Sequence, residues 1–342
     1  MLEKKDKYKI AIVGATGIVG ESLLEILSSR NFPIDKVFAV ASEKSKGFKA
    51  KYGDNLITVQ ALNEFDFTGV DIAFFSAGGA ISREYASKAA SHGCVVIDNT
   101  SEFRYEKNIP LIIPEINSQD IIKYKETNII ANPNCSTIQM LVALKPIHDK
   151  FTINHINVCT YQAVSGSGKD GVEELLQQSS AYIDQRTAVN KVYPKQIAFN
   201  TIPFVDSFLD NAYTREEMKM VWETHKILDE NITVNPTAVR VPVLIGHAES
   251  IYIETKDEID INKVKKCLGE FPGISVIDDT ESVDFPTSFE HGHGTDNVYI
   301  GRIRRGLDKN NSLNLWVVAD NVRKGAALNS VQIAEHLIGG KI

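Results

Sequence analysis

A chain of 342 residues exceeds the size at which a single hydrophobic core keeps growing, so two domains are expected. Its 43% apolar and 24% charged residues are typical of a folded globular protein and exclude a disordered or fibrous chain. The net charge of -7 argues against a nucleic acid or an anionic membrane as a partner, because either would favour a basic surface.

The termini and the cysteines indicate a compartment. The first residues mix both charge signs and contain no apolar core of a signal peptide, and no later apolar run is long enough to span a bilayer. The four cysteines are widely separated and form no C-x-x-C pair. We therefore expect a cytoplasmic protein with reduced thiols.

The first third of the chain alternates strand and helix signals. Residues 8–30, YKIAIVGATGIVGESLLEILSSR, show a short apolar strand, a glycine turn and apolar residues at helical spacing. Further strand-like runs are KVFAVAS, VDIAFFSAGG, CVVIDNTS and NIIANPN, and SREYASKAASHG supplies a helix between two of them. This alternation predicts an α/β, Rossmann-like domain whose parallel sheet binds its ligand at the strand ends.

The remainder predicts a second domain of a different class. Longer runs such as INHINVCTYQAVSG, AESIYIETK, NVYIGRIRR and LNLWVVAD read as strands of a mixed sheet in an α+β domain. KGAALNSVQIAEHLIGG has the spacing of an amphipathic helix. We assign residues 1–133 with the C-terminal helix 322–342 to the first domain, and residues 134–321 to the second.

Gly14, Gly17 and Gly20 form a G-x-x-G-x-x-G turn between the first strand and its helix. Glycines there let the backbone and the helix N-terminus approach the pyrophosphate of a dinucleotide. The alternative is a tight turn that needs glycine only for its own geometry.

The end of the second strand selects between two dinucleotides. A NAD site usually has an acidic residue about 20 residues after the glycines, to bind the ribose 2′-hydroxyl. Here Ser42, Lys44 and Ser45 offer hydroxyls and an ammonium, which suit a 2′-phosphate, so NADP is favoured over NAD. Two readings stay open: Glu43 could point inward, and the segment could be a solvated loop.

Cys135 differs from the other cysteines. Cys94, Cys159 and Cys267 lie in apolar runs and are expected to be buried as small hydrophobic residues. Cys135 follows Asn-Pro-Asn and precedes a helical run, so its sulfur is predicted at a helix N-terminus, where the thiolate is favoured. A catalytic thiol also needs a positive neighbour or a base.

His247 is the best candidate for that base. It follows a glycine between two strand-like runs, where a side chain can face a cleft. His92, His148, His225 and His336 belong to polar helix faces or ends. His291 and His293 have no third ligand at a metal-binding spacing, so we expect no metal there but a mobile glycine-rich loop.

With these residues in view, the sequence resembles the aspartate-β-semialdehyde dehydrogenases of bacterial type over nearly its whole length. The resemblance rests on GATGIVG, VIDNTSEFR, NPNCSTIQ, YQAVSGSG, EEMKMVWETHKIL, RVPVLIGHAES, DNVYIGRIR and DNVRKGAA, which occur in the order of the family. It implies an NADP-binding domain followed by a catalytic and dimerisation domain. It also implies reductive dephosphorylation of β-aspartyl phosphate to aspartate semialdehyde, in the pathway to lysine, diaminopimelate, threonine, methionine and isoleucine.

The resemblance implies a role for each matched residue. Cys135 would be the nucleophile that carries the acyl group as a thioester, His247 the general acid/base, and Gln162 the residue that orients the substrate. Arg240 would bind the substrate carboxylate, because a guanidinium holds a carboxylate through two hydrogen bonds. Glu216 would lie near the substrate ammonium, and Arg104, with Asn134 and Lys219, would bind phosphate. If the other motifs were absent, the preferred interpretation of Glu216 and Lys219 would be an ordinary ion pair along a helix.

The cofactor residues come from three segments. The resemblance assigns Gly14, Thr16, Gly17, Ile18 and Val19 of the glycine turn, and Ser42, Lys44 and Ser45, to NADP. At the position of Lys44, the family that the sequence resembles more commonly has an arginine. Ser165 and Gly166 match cofactor-contacting positions, which a flexible strand-to-helix loop would explain equally well, and Asn321 matches a residue that contacts the nicotinamide amide.

Three alternative functions make different demands on the sequence. N-acetyl-γ-glutamyl-phosphate reductase usually has NPGCYPT around its nucleophile, and glyceraldehyde-3-phosphate dehydrogenase has SCTTNC; NPNCSTIQ agrees with neither. A dinucleotide sensor without catalysis would not need Cys135, Gln162, Arg240 and His247 together. The family assembles as dimers or tetramers, so the resemblance implies at least a homodimer.

Overall fold

The computed structural model describes residues 2–340. In chain order the strands are β1 (Tyr8–Val13), β2 (Ile34–Ala41), β3 (Lys49–Tyr52), β4 (Asn55–Thr58), β5 (Gln60–Ala61), β6 (Ile72–Phe75), β7 (Val95–Asp98), β8 (Ile129–Ala131), β9 (Ile153–Gln162), β10 (Thr233–Arg240), β11 (His247–Thr255), β12 (Ile274–Val276), β13 (Val298–Arg305) and β14 (Ser312–Ala319). The α-helices are α1 (Ile18–Ser29), α2 (Gly79–Ser91), α3 (Pro114–Asn117), α4 (Cys135–Phe151), α5 (Gly168–Ile183), α6 (Arg215–Ile227), α7 (Ile261–Gly269) and α8 (Leu328–Leu337). A π-helical turn, Arg323–Ala327, precedes α8.

The described residues form two compact units. Unit 1 comprises residues 2–134 and 326–340, and unit 2 comprises Cys135–Gly325. The sequence predicts domain borders after residues 133 and 321. The predicted domains also include Met1, Lys341 and Ile342, which lie outside the described residues.

Unit 1 contains a six-stranded sheet in the order β5-β2-β1-β6-β7-β8, in which every pair is parallel. β6 and β7 are buried along their whole length, as expected of parallel strands that are covered on both faces. From β1 the chain continues to β2 on one side, whereas β6 lies on the other side. A ligand crevice is therefore expected where β1 and β6 end.

Unit 2 contains a mixed six-stranded sheet in the order β10-β9-β11-β14-β13-β12. β10 runs parallel to β9, and β11 runs antiparallel to both β9 and β14. Helix α4 packs on the central strands β9, β11, β14 and β13, and its residues 136–144 are all buried. The predicted Rossmann-like parallel sheet and the mixed sheet of the second domain are both confirmed.

The sheet of unit 2 brings three predicted site residues to one edge. β9 ends at Gln162, and its parallel neighbour β10 ends at Arg240, which is its partner in register. β11 begins at His247 and runs antiparallel to β9, so its first residue lies at the same edge. Arg240 and His247 follow Gln162 by 78 and 85 positions in the chain, so strand pairing, and not a local motif, brings them to Gln162.

Candidate active site

Cys135 is the first residue of α4, as the sequence predicted, and its side chain is half-buried. The preceding segment is held in place within unit 1, where the Asn132 N–H donates to the Asp98 carbonyl oxygen at 2.8 Å. A thiol at the first position of a long buried helix lies where the helix dipole favours its anionic form.

Gly325 leaves the space that Cys135 occupies. A Cβ at Gly325 would lie 2.8 Å from the Cβ of Cys135, closer than real side chains approach. The contact is with Cβ of the cysteine, so rotation about the Cα–Cβ bond would move the sulfur but would not relieve the contact. The glycine of DNVRKGAA is therefore required beside the start of the Cys135 side chain, which sequence reasoning did not foresee.

The other cysteines differ from Cys135 in their surroundings. Cys94 is buried as predicted, whereas Cys159 on β9 and Cys267 on α7 are half-buried, because one faces the open side of the sheet and the other the helix surface. Burial raises the pKa of all three thiols. They are therefore protonated and weakly nucleophilic at neutral pH.

His247 is completely buried, not open to a cleft by itself. Its Nδ1 accepts a hydrogen bond from the Ala163 N–H at 3.0 Å, so the proton of the neutral ring is on Nε2. Nε2 has no hydrogen-bond partner. Burial, with a smaller effect of the Arg240 charge, lowers the pKa of His247 to about 3. The ring is thus a neutral donor at physiological pH, and it is not the positive neighbour that the sequence reasoning sought for the thiolate.

The histidine-containing loop packs behind His247. A Cβ at Gly246 would lie 2.6 Å from the Gly292 carbonyl oxygen, so the two backbones touch. The Gly294 N–H donates to Asp320 at 2.8 Å, and the Thr287 N–H donates to Nδ1 of His291 at 3.2 Å. The loop around His291 and His293 is therefore tied to the strand that carries the catalytic candidate. In the described part of the chain, no group of three metal-ligating side chains is assembled.

Arg240 and His247 both lie against the face of Gly166 that has no side chain. A Cβ at Gly166 would lie 2.9 Å from Nη1 of Arg240 and 3.5 Å from Nε2 of His247. Nη1 of Arg240 donates to the Ala163 carbonyl oxygen at 2.7 Å, while its Nε–H is buried without a partner. An oxyanion bound at this guanidinium would complete its hydrogen bonding.

Tyr193 supports Arg240 from the side and was missed by sequence reasoning. Its ring centre lies 5.9 Å from the guanidinium carbon, and its hydroxyl donates to the Val164 carbonyl oxygen at 3.3 Å. It lies in a loop after α5, 47 positions before Arg240 in the sequence, and no local pattern marks it.

A buried polar cluster links β9 to α6. Nε2 of Gln162 donates to Glu216 at 3.0 Å, and Lys219 donates to Glu216 at 2.9 Å and to Asp206 at 2.8 Å. Burial disfavours the Lys219 ammonium, but the carboxylates of Glu216 and Asp206 outweigh it and raise the pKa of Lys219. The predicted helical pair between Glu216 and Lys219 therefore exists, and Asp206 is a third member that the sequence did not reveal.

The start of α6 fixes this cluster. Thr214 and Glu217 form a capping box, in which the Glu217 N–H donates to the Thr214 hydroxyl and the Thr214 N–H donates to the Glu217 carboxylate. Glu217 also accepts from the Ala238 N–H on β10 at 3.0 Å. The helix that carries Glu216 and Lys219 is thereby attached to the strand that ends at Arg240.

Asn321 connects the predicted cofactor loop with the histidine. Its Nδ2 donates to the Ser165 hydroxyl at 2.9 Å, and its Oδ1 accepts from the Gly246 N–H at 2.9 Å. The segment 320–325 therefore touches the residue before His247 through Asn321 and touches Cys135 through Gly325. The nucleophile and imidazole candidates share one support.

The predicted phosphate residues are divided between the units. Arg104 and Asn134 are buried in unit 1, and Lys219 belongs to unit 2. Nη2 of Arg104 donates to the Asn99 carbonyl oxygen at 2.9 Å. Nearby, Asp98 accepts from the Thr100 N–H and hydroxyl, which shapes the loop that leads to Arg104.

The glycine turn of unit 1 fits a dinucleotide. Gly14 has a φ of 93°, and a Cβ there would lie 2.9 Å from the Ser76 backbone at the end of β6. At Gly20 a Cβ would lie 2.2 Å from the Gly14 carbonyl oxygen. Gly17, at the N-cap of α1, provides no side-chain cap, so the first N–H groups of the helix are left for an anion. Thr16 belongs to the same turn, and Ile18 and Val19 are the first two residues of α1.

The segment after β2 contains the residues that the sequence predicts for a 2′-phosphate. Ser42 and Lys44 are exposed, Ser45 is partly exposed, and residues 43–45 form a single 3₁₀ turn. Glu43 is 58% exposed in its side chain and lies 3.6 Å from Lys46, which also pairs with Glu64. Glu43 therefore points toward Lys46 and solvent. The alternative in which Glu43 points inward is wrong.

Comparison with known proteins identifies the group to which this chain belongs. A family model described as "Semialdehyde dehydrogenase, NAD binding domain" matches residues 9–124, and "Semialdehyde dehydrogenase, dimerisation domain" matches residues 144–324. The chain is 53% identical over 333 residues to the aspartate-semialdehyde dehydrogenase of Shewanella violacea, covering 97% of this chain and 98% of that one.

A second relative and a solved structure agree. The aspartate-semialdehyde dehydrogenase of Legionella pneumophila is 53% identical over 329 residues, covering 96% of this chain and 95% of that one. The structure of aspartate semialdehyde dehydrogenase II from Vibrio cholerae, complexed with ASA, is 51% identical, with a TM-score of 0.95 and coverage of 98% and 99%. With the site residues in the order and positions described above, the chain belongs to the aspartate-semialdehyde dehydrogenase family.

Proposed function

We propose that this chain converts L-4-aspartyl phosphate to L-aspartate 4-semialdehyde and phosphate through a thioester on Cys135. The observation that carries the proposal is the edge of the unit 2 sheet, where buried Arg240 and His247 lie against the same side of Gly166 and each keep a donor without a partner. A substrate with a carboxylate and a reacting carbonyl provides one acceptor for each of these donors.

Arg240 is the proposed carboxylate site. Its Nη1 is held by the Ala163 carbonyl oxygen, and Tyr193 lies against the guanidinium, so the fork is oriented before the substrate arrives. The vacant Nε–H supports this assignment, because a carboxylate would satisfy it without breaking an existing bond.

Glu216 is the proposed partner of the substrate ammonium, and Gln162 orients the substrate beside it. Both are buried and hydrogen-bonded to each other. Lys219 compensates one carboxylate of the cluster, and Asp206 adds a second, so Glu216, Lys219 and Asp206 together carry one net negative charge. A net negative cluster favours a cationic group on the substrate.

Cys135 and His247 are the proposed reacting pair. The Cys135 thiolate attacks the carbonyl carbon of the acyl phosphate, phosphate leaves, and a thioester remains. When bound, NADPH would supply the hydride that brings this thioester to the oxidation level of a thiohemiacetal. The Nε2–H of His247 donates to the carbonyl oxygen as negative charge develops on it, and return of the electrons from that oxygen expels the Cys135 thiolate and the aldehyde. His247 thus occupies the general acid/base position that the resemblance implies, and we propose that it acts there as a neutral hydrogen-bond donor to the reacting oxygen.

For phosphate, we propose Arg104 and Asn134 of unit 1 together with Lys219 of unit 2. Arg104 is oriented by its bond to Asn99. Lys219 already binds two carboxylates, so an arriving phosphate would have to share its charge with them. Phosphate binding through Lys219 is therefore expected to be weaker than through Arg104.

For the cofactor, we propose NADP, with the residues named from the sequence. The glycine turn with Gly14, Thr16, Gly17, Ile18 and Val19 would bind the pyrophosphate at the start of α1. Ser42, Lys44 and Ser45 would bind the 2′-phosphate, a choice supported by the orientation of Glu43 toward Lys46. Ser165, Gly166 and Asn321 would contact the nicotinamide half.

Self-association through unit 2 is part of the proposal. The dimerisation-domain model matches residues 144–324, and β9 alternates buried residues with Asn157, Cys159 and Tyr161, which leaves one face of its sheet partly exposed. We propose a homodimer in the cytoplasm, with a tetramer as the alternative assembly; the four cysteines are thiols, which suits a reducing compartment. No described helix is both long enough and apolar enough to cross a membrane.

The test is an assay in the reverse direction. L-aspartate semialdehyde, phosphate and NADP should give NADPH, and the rate should depend on phosphate. NAD in place of NADP should give a lower kcat/KM, and N-acetylglutamate semialdehyde should be a poor substrate. Turnover that does not depend on phosphate would contradict the acyl-phosphate assignment, and a preference for N-acetylglutamate semialdehyde would favour N-acetyl-γ-glutamyl-phosphate reductase.

A further inference from the structure

Two buried polar side chains in unit 2 have no role in the chemistry described so far. Glu249, on β11, and Gln139, on α4, are 0% and 1% exposed. Neither the two carboxyl oxygens of Glu249 nor the amide oxygen and nitrogen of Gln139 complete a hydrogen bond of standard geometry. Buried polar groups with this deficit are uncommon and call for an explanation.

Their positions relate them to the two reacting residues. Gln139 follows Cys135 by four residues on α4, so both lie on one face of the helix. Glu249 follows His247 by two residues on β11, so both lie on one face of the strand. α4 packs on β11, and the Gln139 amide interacts with the Glu249 carboxyl.

The chemical state of Glu249 follows from its surroundings. Burial raises the pKa of its carboxyl well above the usual range, and the opposing effect of the Gln139 amide is smaller. No charged side chain contributes to this shift. Glu249 is therefore a neutral acid near pH 7, able to donate one hydrogen bond and accept another, which matches the acceptor and donor of an amide.

We propose that Gln139 and Glu249 are positioning residues, a carboxyl–amide pair that holds the helix starting at Cys135 against the strand starting at His247. The pair lies one helical turn behind the sulfur and two residues beyond the imidazole. A shift of about 1 Å between helix and strand would change the approach of sulfur and imidazole to one carbonyl group, which costs up to about 100-fold in rate. The inference rests on the proposed function of Cys135 and His247.

Three substitutions at residue 249 separate this role from its rivals. Glu249→Gln keeps the shape and the hydrogen bonding of the neutral acid, so kcat should stay near the wild-type value. Glu249→Leu keeps the volume but removes the hydrogen bonding, so kcat should fall about 10-fold while the fold is as stable or more stable. Glu249→Ala should lower both kcat and stability. Glu254→Gln, on the same strand but paired with Lys309 at the surface, is the matched control and should change nothing.

The second readout needs no substrate. The rate at which iodoacetamide alkylates Cys135 should be unchanged in Glu249→Gln and altered at least 3-fold in Glu249→Leu and Gln139→Leu. The double variant of Gln139→Leu and Glu249→Leu should be no worse than either single variant, because both break the same contact. Since alkylation is measured without aldehyde or cofactor, failure of this inference is distinguishable from failure of the proposed function, which would appear as absent phosphate-dependent turnover in the wild type.

A third readout is the dependence of stability on pH. The carboxyl of Glu249 stays protonated in the folded state while it ionises in the unfolded state, so its contribution is lost as pH rises above the ordinary range of glutamate. Urea unfolding should therefore show that the advantage of Glu249→Gln over the wild type is larger at pH 8.5 than at pH 6.

Two results would overturn the inference. Full activity and wild-type alkylation in both leucine variants would show that the pair only fills space. Loss of turnover in Glu249→Gln, with normal alkylation, would show that Glu249 transfers a proton in the reaction.

Discussion

The glycine turn of unit 1 and the sheet edge of unit 2 use glycine for different purposes. In the turn, Gly14 and Gly20 make room for backbone, and the binding groups are N–H groups at the start of α1. At the sheet edge, Gly166 makes room for Arg240 and His247, which lie 74 and 81 positions further along the chain. A site made of backbone groups can be recognised from a short stretch of sequence. A site made of side chains depends on the fold, which brings distant segments together.

The first way to test this comparison is to remove the nucleophile from the assembled site. Cys135→Ala should lower kcat by about 10⁴-fold or more, because losing a nucleophile removes the covalent route. NADP affinity, measured by fluorescence titration, should stay within about twofold of the wild type if the backbone turn acts on its own. Cys267→Ala is the control, since that thiol is half-buried on α7 and should be dispensable. Equal losses of kcat in Cys135→Ala and Cys267→Ala would show that Cys135 has no special role.

Replacing the histidine gives the next largest effect. His247→Ala should lower kcat by about 10²- to 10⁴-fold, and His247→Asn, which keeps an N–H donor, should recover part of that loss. Because burial lowers the pKa of His247 to about 3, the ring stays neutral from pH 5 to 8. At acidic pH, kcat should therefore depend on pH in the same way in the wild type and in His247→Asn. A limb near pH 6.5 that disappears with the histidine would show that the ring titrates during turnover.

The same burial makes a prediction for stability. An unfolded histidine takes up a proton below about pH 6.5, whereas buried His247 resists protonation until about pH 3. Its contribution to stability is therefore complete above pH 6.5 and is lost as the pH falls toward 3.

Gly325→Ala tests the glycine that lies against Cβ of Cys135. The added methyl group would meet Cβ of Cys135 at 2.8 Å, so either the helix start or the segment 320–325 must move, and kcat should fall about 100-fold. Gly269→Ala is the matched control, because nothing lies within 4 Å of the position of its new Cβ. If kcat is unchanged in Gly325→Ala, the sulfur does not depend on this contact.

These residues show what the sequence could predict. The strands of unit 1, the turn at Gly14 and the start of a helix at Cys135 follow from spacing over a few residues. Gly325 and Tyr193 could not be found in that way, because their importance arises from contacts with residues far away in the chain. The burial of His247 was also missed, since the two strands beside β11 and the loop behind Gly246 come from distant segments.

Arg240→Lys sharpens the side-chain half of the comparison. Lysine offers a point charge in place of the guanidinium fork, so the KM for aspartate semialdehyde should rise about 10-fold or more with a smaller change in kcat. The KM for phosphate should not change. A selective effect on phosphate would move Arg240 to the phosphate site.

The smallest effect is expected at the exposed edge of the cofactor site. Lys44→Ala should lower the preference for NADP over NAD only several-fold, because an exposed ammonium contributes about 1 kcal/mol or less. kcat with saturating NADP should be unchanged. Lys46→Ala, which removes the partner of Glu43 and Glu64, is the companion variant. A complete exchange of preference in Lys44→Ala would mean that side chains, and not the backbone turn, dominate cofactor binding in unit 1.

The central claim is that the carbonyl carbon of the substrate becomes bonded to the sulfur of Cys135. The direct measurement is intact-protein and peptide mass spectrometry after mixing the protein with L-aspartate semialdehyde and NADP in the absence of phosphate. An aspartyl group on the peptide that contains Cys135, removed again when phosphate is added, is the predicted result. NADPH formation with no adduct on that peptide, or with the adduct on another residue, would contradict the account.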